Sequence, residues 1–420
     1  MPQKKLGRGV ALVGAGMSKF GAFKGKSGRD LFVEAFVEAV ASVDKGFDPQ
    51  EIEALYVGNY SSDLFESQGH TAPIYAEWTG LLPRPATRIE GACASAGLAL
   101  RQGIIAVASG LYDIVLVSGV EKMTDLPTER VTDTLATAAD ALYEIPAGFT
   151  FPGFYAAMAN AYLYEHHVSP EVFLKVGLKN HDNGALNPKA QFGQRIIDIM
   201  ASRKASAIKK GKPVPGWTTE MDFLHDDSAN PWIAYPLRLF DCSPVSDGAA
   251  VVLLTSAEIA RRFTDQPIYV AGSGQASDGA LHGRSSLSSL PSVREAGRQA
   301  YEMAGVTPAD IDIAEVHDCF TIAEIMATED LGFFAQGEGW KAVEDGMTAR
   351  TGDKPINTSG GLKSKGHPVG ASGVGQVVEI WKQLRGEAGE RQVPGDLQLG
   401  LTHNVGGTGQ TGVVHIFERR

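Results

Sequence analysis

Ile268-Tyr269-Val270-Ala271-Gly272-Ser273-Gly274 is a hydrophobic run closed by Gly-x-Gly, and it repeats a stretch met about 258 positions earlier, Val10-Ala11-Leu12-Val13-Gly14-Ala15-Gly16. Each reads as a buried strand ending in a glycine turn. Each is followed by an amphipathic helical pattern, with Leu31, Ala35 and Val37 to Val40 in one and Val293, Ala296 and Ala300 in the other. Then comes a similar polar-to-apolar element, Asp48 to Val57 in the first half and Thr307 to Val316 in the second. A small-residue loop opening a further helix follows in both, at Cys93 and at Gly370-Ala371-Ser372-Gly373. A strand closes each half, Asp113 to Gly119 and Leu397 to Asn404. Internal self-similarity of this kind marks a duplicated frame. Strands apolar on both faces, alternating with helices, predict an α/β protein in which helices cover the sheets and the shared helices lie between them.

Residues 126–240 break the repeat. They are rich in aromatics, Asn and Pro and read as an insertion of short helices and loops. The chain rejoins the frame through Leu239-Phe240-Asp241-Cys242-Ser243-Pro244 and a strand from Ala249 to Thr255; Thr264-Asp265-Gln266-Pro267 separates the halves. The expected division is therefore 1–125 with 241–263, an inserted 126–240, and 267–420.

The bulk properties narrow the function. The 420 residues are 43% hydrophobic and 21% charged, with a formal net charge of −11, which disfavours non-specific binding to nucleic acid. Three cysteines make no disulfide framework in a chain of this size and point to a reducing compartment. No apolar run has the roughly 18 residues of a membrane span. Met1-Pro2-Gln3-Lys4-Lys5 leads straight into a strand-like run, so no secretory signal is expected and the cytoplasm is the expected compartment.

Three separated clusters carry the chemistry. Cys93 sits among Gly91, Ala92, Ala94, Ser95, Ala96 and Gly97 at the start of a helix, where the dipole is expected to lower its pKa and small neighbours let a carbonyl approach. His317-Asp318-Cys319-Phe320 ends a strand, the position at which open α/β sheets bind ligands. His367 is locked between Gly366 and Pro368, fixed as a general base would be. Gly361 and Gly366 have the separation of a phosphate loop, but His367-Pro368 replace its Lys-Ser/Thr. A zinc site from His317, Cys319 and His367 lacks a full ligand set, so no metal is expected. Gly14-Ala15-Gly16 lacks the third glycine of a dinucleotide fingerprint, and its echo argues for a structural turn. Cys242 reads as structural. His403-Asn404-Val405-Gly406-Gly407 exposes backbone N–H groups suited to half of an oxyanion hole. A nucleophilic Cys, a His to activate it and a second Cys to move a proton are the parts of a carbon–carbon acyl transfer enzyme.

These motifs, in this order along a duplicated frame, resemble the thiolase family from Leu6 to Glu418. The resemblance is to its sterol-carrier-protein-2-type and archaeal-type members, which carry His-Asp-Cys-Phe and place Asn before the final glycine turn, as His317 to Phe320 and Asn404 do here. It implies the thiolase fold: two βαβαβαββ halves in an α-β-α-β-α layering, with 126–240 as a loop domain binding CoA and the acyl group. It implies reversible thiolytic cleavage or Claisen condensation through acyl-Cys93, with Cys319, His367 and His317 as the other catalytic groups. It assigns the oxyanion hole to Cys93, Gly406, Asn404 and His367, with Asn404 holding a water, and substrate contacts to Met158, Ser243 and Gly361. CoA and acyl-CoA are substrates and no cofactor is implied. A homodimer or homotetramer is implied, with a small zinc-ribbon/OB-fold partner as a further expectation. Alternatives are a ketoacyl-synthase-like or hydroxymethylglutaryl-CoA-synthase-like condenser and a non-catalytic acyl-CoA-binding subunit.

Overall fold

The computed structural model describes residues 5–420. Met1 to Lys4, part of the segment read above as leading into the first strand, lie outside the described residues. The first half contributes β1 (Val10–Met17), β2 (Ala54–Gly58), β3 (Ala86–Ile89), β4 (Ile114–Glu121) and, after the insertion and its hairpin β5–β6 (Trp232–Ala234, Leu237–Arg238), β7 (Gly248–Ser256). The second contributes β8 (Ile268–Ser277), β9 (Ile313–Glu315), β10 (Leu399–Gly406) and β11 (Thr411–Arg419).

The strand order β3-β2-β4-β7-β1-β8-β11-β10-β9 is the duplication written out. In both halves a parallel pair (β2–β4, β9–β10) is followed by two antiparallel pairs (β4–β7–β1, β10–β11–β8). Only β3 has no full counterpart; a single parallel bridge from Ala314 to Ile356 holds its place. The two half-sheets expected from the sequence join at one corner. There β1 pairs with β8 through Ala11↔Tyr269 and Leu12↔Ile268, giving a continuous sheet of nine strands.

Seven helices matter for the site: α1 (Gly28–Ala41), α2 (Ser95–Ala108), α3 (Phe151–His166), α4 (Pro291–Ala304), α5 (Thr321–Asp330), α6 (Gly361–Lys365) and α7 (Ser372–Leu384). α2 and α7 pack against each other and against both half-sheets, which explains why α7 is buried on almost every face. α1 and α4 cover the outer faces of the first and second half. Along α1, Leu31, Ala35 and Ala39 face the sheet, whereas Val37 is exposed and does not belong to the apolar stripe.

The repeated Gly-x-Gly is not a turn. β1 runs through Gly14 and Gly16 to Met17, and β8 through Gly272 and Gly274 to Ser277. A Cβ on Gly16 would lie 2.6 Å from the Ala35 carbonyl oxygen, and one on Gly274 would lie 1.9 Å from that of Ala296. The glycines let each outer helix lie directly on its strand, a close approach that only a missing side chain permits.

Between β4 and β7 the chain forms five helices and the β5–β6 hairpin, none of which joins the nine-stranded sheet. Among the described residues no helix is long and apolar enough to cross a membrane.

Candidate active site

The nucleophile candidate sits on a strained turn. Ala92 has φ +51°, a left-handed conformation that costs an alanine on the order of 1 kcal/mol. A 3-10 turn, Ala92–Ala94, then leads into α2. The strain is held by local hydrogen bonds. Ser95 Oγ accepts from Gly91 N–H at 3.0 Å and donates to the Ala92 carbonyl at 2.6 Å, and Ala92 N–H donates to Glu90 Oε1 at 2.6 Å. The result turns Cys93 out of the backbone toward a cavity of about 210 Å3.

The second cluster arrives from the end of β9. Asp318 turns away from the cavity, and its carboxylate accepts the N–H groups of Leu362 (2.6 Å) and Lys363 (3.3 Å) and the amide of Asn180 (2.8 Å). Gly361 is glycine for that reason: it has φ +58°, and a Cβ there would lie 2.1 Å from Asp318 Oδ2. With Asp318 clamped, Cys319 faces the cavity. His367, two residues past α6, is fixed by its own N–H on Ser246 Oγ at 2.9 Å.

The elements bring Cys93, His317 and His367 together, with a ligating atom of each within 4.8 Å of the others. The two imidazoles meet edge to face, centroids 5.1 Å apart. Cys319 shares the cavity wall with Cys93 and His367. Most of the remaining wall is apolar, including Met123, Leu135, Phe151, Ile233, Leu239 and Val369.

The partners of the two histidines assign them opposite tautomers. Ser372 Oγ donates to the Pro368 carbonyl at 3.1 Å, so it accepts at 2.7 Å from Nδ1–H of His367. That leaves the lone pair of His367 Nε2 bare, buried and without a partner. Asn404 does the reverse to His317. Its Oδ1 accepts from Gly97 N–H at 3.2 Å, so its amide donates, to the Cys93 carbonyl at 3.1 Å and to His317 Nδ1 at 3.1 Å. The proton of His317 therefore sits on Nε2, also buried and unpartnered. One ring offers a base and its neighbour a hydrogen-bond donor. The same assignment makes His317 a poor metal ligand, because its accepting nitrogen is already occupied.

Burial sets the charge states. It lowers His367 and His403 to about 3 and His317 well below the ordinary value, so all three rings are neutral. It raises Cys93 to about 12, with the negative charge of Glu121 adding to it, against the N–H groups of Gly407 and Cys93 itself, which pull the other way. The expectation of a lowered Cys93 pKa is overturned. A helix N-terminus is worth up to about 2 kcal/mol, whereas full burial shifts a pKa by up to several units of about 1.4 kcal/mol each. Cys93 rests as a thiol and needs the adjacent base. Cys319 is likewise pushed well above the ordinary thiol value by burial and by Cys93.

Other expected residues move. Gly407, with φ +64°, lines the cavity and turns its N–H on Cys93, whereas Gly406 is the last residue of β10 and packs on the Gly91 carbonyl. Asn404 has its amide committed to protein groups and orients His317 instead of holding a water. Met158 is buried in the α3 core and does not reach the cavity. Gly361 lies behind Asp318, also away from it. Ser243 does line it, with its N–H on the Cys319 carbonyl at 2.9 Å. Cys242, read as structural, forms part of the same wall. Tyr155, which the sequence did not single out, is buried against Phe320 with ring centroids 4.6 Å apart and reaches Cys319 from α3. No periodicity distinguishes it from the core aromatics around it.

The fold and this geometry agree with what the sequence is similar to. Residues 10–258 match the family description "Thiolase, N-terminal domain" and residues 274–419 match "Thiolase C-terminal domain-like". The chain belongs to the thiolase family. It is 47% identical to an "Acetyl-CoA acetyltransferase" of Methanothermobacter thermautotrophicus, over 98% of this chain and 100% of that one. It is 31% identical to "Sterol carrier protein 2" of Bos taurus, over 96% of this chain and 71% of that one. Among solved structures, "Ltp2-ChsH2(DUF35) aldolase" superposes with a TM-score of 0.78 at 26% identity, over 98% of each chain.

Proposed function

We propose that this thiolase-family acyltransferase carries its acyl group on Cys93, cleaving 3-ketoacyl-CoA with CoA or condensing acyl-CoA with acetyl-CoA. The observation that carries the reading is the pair of neutral imidazoles with opposite tautomers beside two thiols. His367 Nε2 takes the Cys93 proton as Sγ attacks the thioester carbonyl. The oxyanion is met by the N–H groups of Cys93 and Gly407, each such donor being worth roughly 3–4 kcal/mol in hydrolases. The carbon–sulfur bond breaks, and the departing CoA sulfur takes the proton from His367.

In the condensing direction, Cys319 then passes its proton to His367 and becomes the thiolate base. It removes a proton from the methyl carbon of acetyl-CoA, and the enolate oxygen accepts from His317 Nε2–H. The enolate carbon attacks acyl-Cys93, whose sulfur leaves and recovers the proton from His367. The proton count closes, with the Cys93 proton leaving on CoA, the Cys319 proton ending on Cys93 and the methyl proton on Cys319, and one hard condensation is divided into two acyl transfers. A ketoacyl synthase would use two His without the second Cys, and a hydroxymethylglutaryl-CoA synthase would use a Glu. Cys319 on the cavity wall favours the thiolase reading.

The test is incubation with acetyl-CoA followed by mass spectrometry. A gain of about 42 Da on Cys93 is expected of an acyl-enzyme. No adduct on any cysteine would leave the acyl-CoA-binding subunit as the better reading.

The 126–240 insertion is proposed to bind CoA and the acyl chain, supported by Leu135, Phe151, Pro152, Ile233 and Leu239 in the cavity wall. We also propose a cytoplasmic homo-oligomer in ketoacyl-CoA metabolism, with β3 offering an edge that only β2 occupies. A small zinc-ribbon/OB-fold partner is supported by the structural relative that pairs Ltp2 with ChsH2(DUF35).

A further inference from the structure

The turn that aims the Gly407 N–H at Cys93 is gripped by three side chains. Arg284 Nη1 donates to the Thr408 carbonyl at 2.6 Å, Ser292 Oγ to the Gly409 carbonyl at 2.6 Å, and the Tyr155 hydroxyl to the Gly407 carbonyl at 3.2 Å. The first two are anchors and nothing more. Tyr155 differs, because its hydroxyl also interacts with the neighbouring Cys319 thiol, each bearing on the other's ionisation. Its ring is immobilised on Phe320, the residue after Cys319, with centroids 4.6 Å apart. One phenol oxygen thus stands between the proton-moving cysteine and the backbone of the oxyanion turn.

We propose that Tyr155 is the positioning residue that makes Cys319 usable as a base, by turning its O–H from the Gly407 carbonyl onto Cys319 Sγ whenever that sulfur is a thiolate. This rests on the acyl transfer mechanism above. With Cys319 protonated, the phenol donates to Gly407 and accepts from S–H. When Cys319 gives its proton to His367, the phenol proton swings to sulfur. When the thiolate takes the methyl proton of acetyl-CoA, the arrangement resets, with no proton gained or lost. Burial keeps the phenol protonated throughout, which a donor requires. Without Tyr155 the thiolate would lose its side-chain donor and keep the Phe320 N–H in a mostly apolar wall, a costly condition for a buried charge.

Tyr155→Phe keeps the stacked ring and removes only the hydroxyl. Two reactions are read in parallel: acylation of Cys93 by acetyl-CoA, and exchange of the acetyl-CoA methyl protons in D2O. Exchange should fall roughly 10- to 100-fold, the worth of a hydrogen bond to a charged group, with its pH of half-maximal rate about one unit higher. Acylation should change by less than about 3-fold, since Arg284 and Ser292 still hold the Gly407 turn and Cys93 uses His367. Replacing Tyr155 by trifluorotyrosine, a more acidic donor of the same shape, should move the exchange profile to lower pH. Exchange in Tyr155→Phe with unchanged rate and pH dependence would overturn the proposal, as would equal losses in both reactions. If the unsubstituted enzyme does not acylate at Cys93, the mechanism itself fails.

Discussion

The two halves share one strand order and one set of pairings, yet they use the same place differently. Just past β2, Asn59 donates to the Val120 carbonyl at 2.9 Å and to Glu121 at the end of β4 at 3.1 Å. Just past β9, the second half's counterpart of β2, lies His317, which Asn404 of β10 orients. In the first half the buried polar pair is spent on structure, since the Glu121 carboxylate gathers the N–H groups of Tyr60 (2.8 Å) and Ser61 (3.1 Å). In the second half the pair leaves an imidazole N–H facing the cavity. The helices α2 and α7, packed together in the central layer, then bring the first half's thiol beside the second half's rings. Duplication supplied two equivalent strand ends, and the chemistry needs both because they differ.

The sharpest way to break this comparison is to remove one side of it. Cys93→Ala should lower acyl transfer by about 10^4-fold or more, as loss of a nucleophile that works as a unit with its base does. Cys319→Ala should instead leave Cys93 acylation standing while methyl proton exchange disappears. Equal loss of both steps in Cys319→Ala would mean that the cysteines do not divide the labour.

The next test separates the histidines. Ser372→Ala removes the partner that fixes His367 Nδ1–H, and Asn404→Leu removes the one that fixes His317 with its proton on Nε2. A ring free to adopt the wrong tautomer loses part of its function, so each change should cost on the order of 10- to 100-fold. The steps affected should differ. Ser372→Ala should slow acylation and methyl exchange alike, since His367 takes the proton of both thiols, and Asn404→Leu should slow methyl exchange alone. Single-turnover acylation and methyl exchange measured side by side would show it.

A purely structural test of the duplication follows. Gly16→Ala and Gly274→Ala each drive a Cβ into helix backbone, with contacts of 2.3 Å to Ala39 N and 1.9 Å to Ala296 O. Each should destabilise by about 3 kcal/mol, the upper range of overpacking, read as a lower unfolding midpoint in denaturant. A large cost in one half with none in the other would argue against equivalent helix docking.

The frame was legible in the sequence because periodic hydrophobicity and the glycine echo are written along the chain. The reactive residues were legible because their neighbours are unusual: small residues around Cys93, a proline after His367, a charged strand end at His317 to Cys319. What the chain did not disclose lies in contacts between distant segments. Gly407, not Gly406, faces Cys93 because β10 runs one residue further than the glycine pair suggests. The Cys93 pKa moves up, not down, because burial outweighs the helix terminus. The tautomers are set by Ser372 and Asn404, and no local pattern marks Tyr155 as anything but another aromatic in a core helix.

The smallest effect tests the structural side of the comparison. Burial pushes the Glu121 carboxyl up to about 8 from an ordinary value of 4.5, while the N–H groups of Tyr60 and Ser61 resist the shift. Between those two pH values the folded protein holds a proton that the unfolded chain has released. Stability from this group is therefore fullest below pH 4.5 and declines as pH rises toward 8. Glu121→Gln fixes a neutral group of the same shape at every pH. The variant should start less stable, because an amide NH2 replaces one accepting oxygen, but its unfolding midpoint should change less between pH 5 and 8 than that of the unsubstituted protein. The charge reaches the nucleophile as well, since ionised Glu121 raises the Cys93 pKa. In the unsubstituted enzyme, acylation above pH 8 should fall behind that of the variant by a few-fold at most. Parallel stability profiles for the two proteins would place the Glu121 proton outside the folding equilibrium and leave the first-half polar pair with no electrostatic link to the nucleophile.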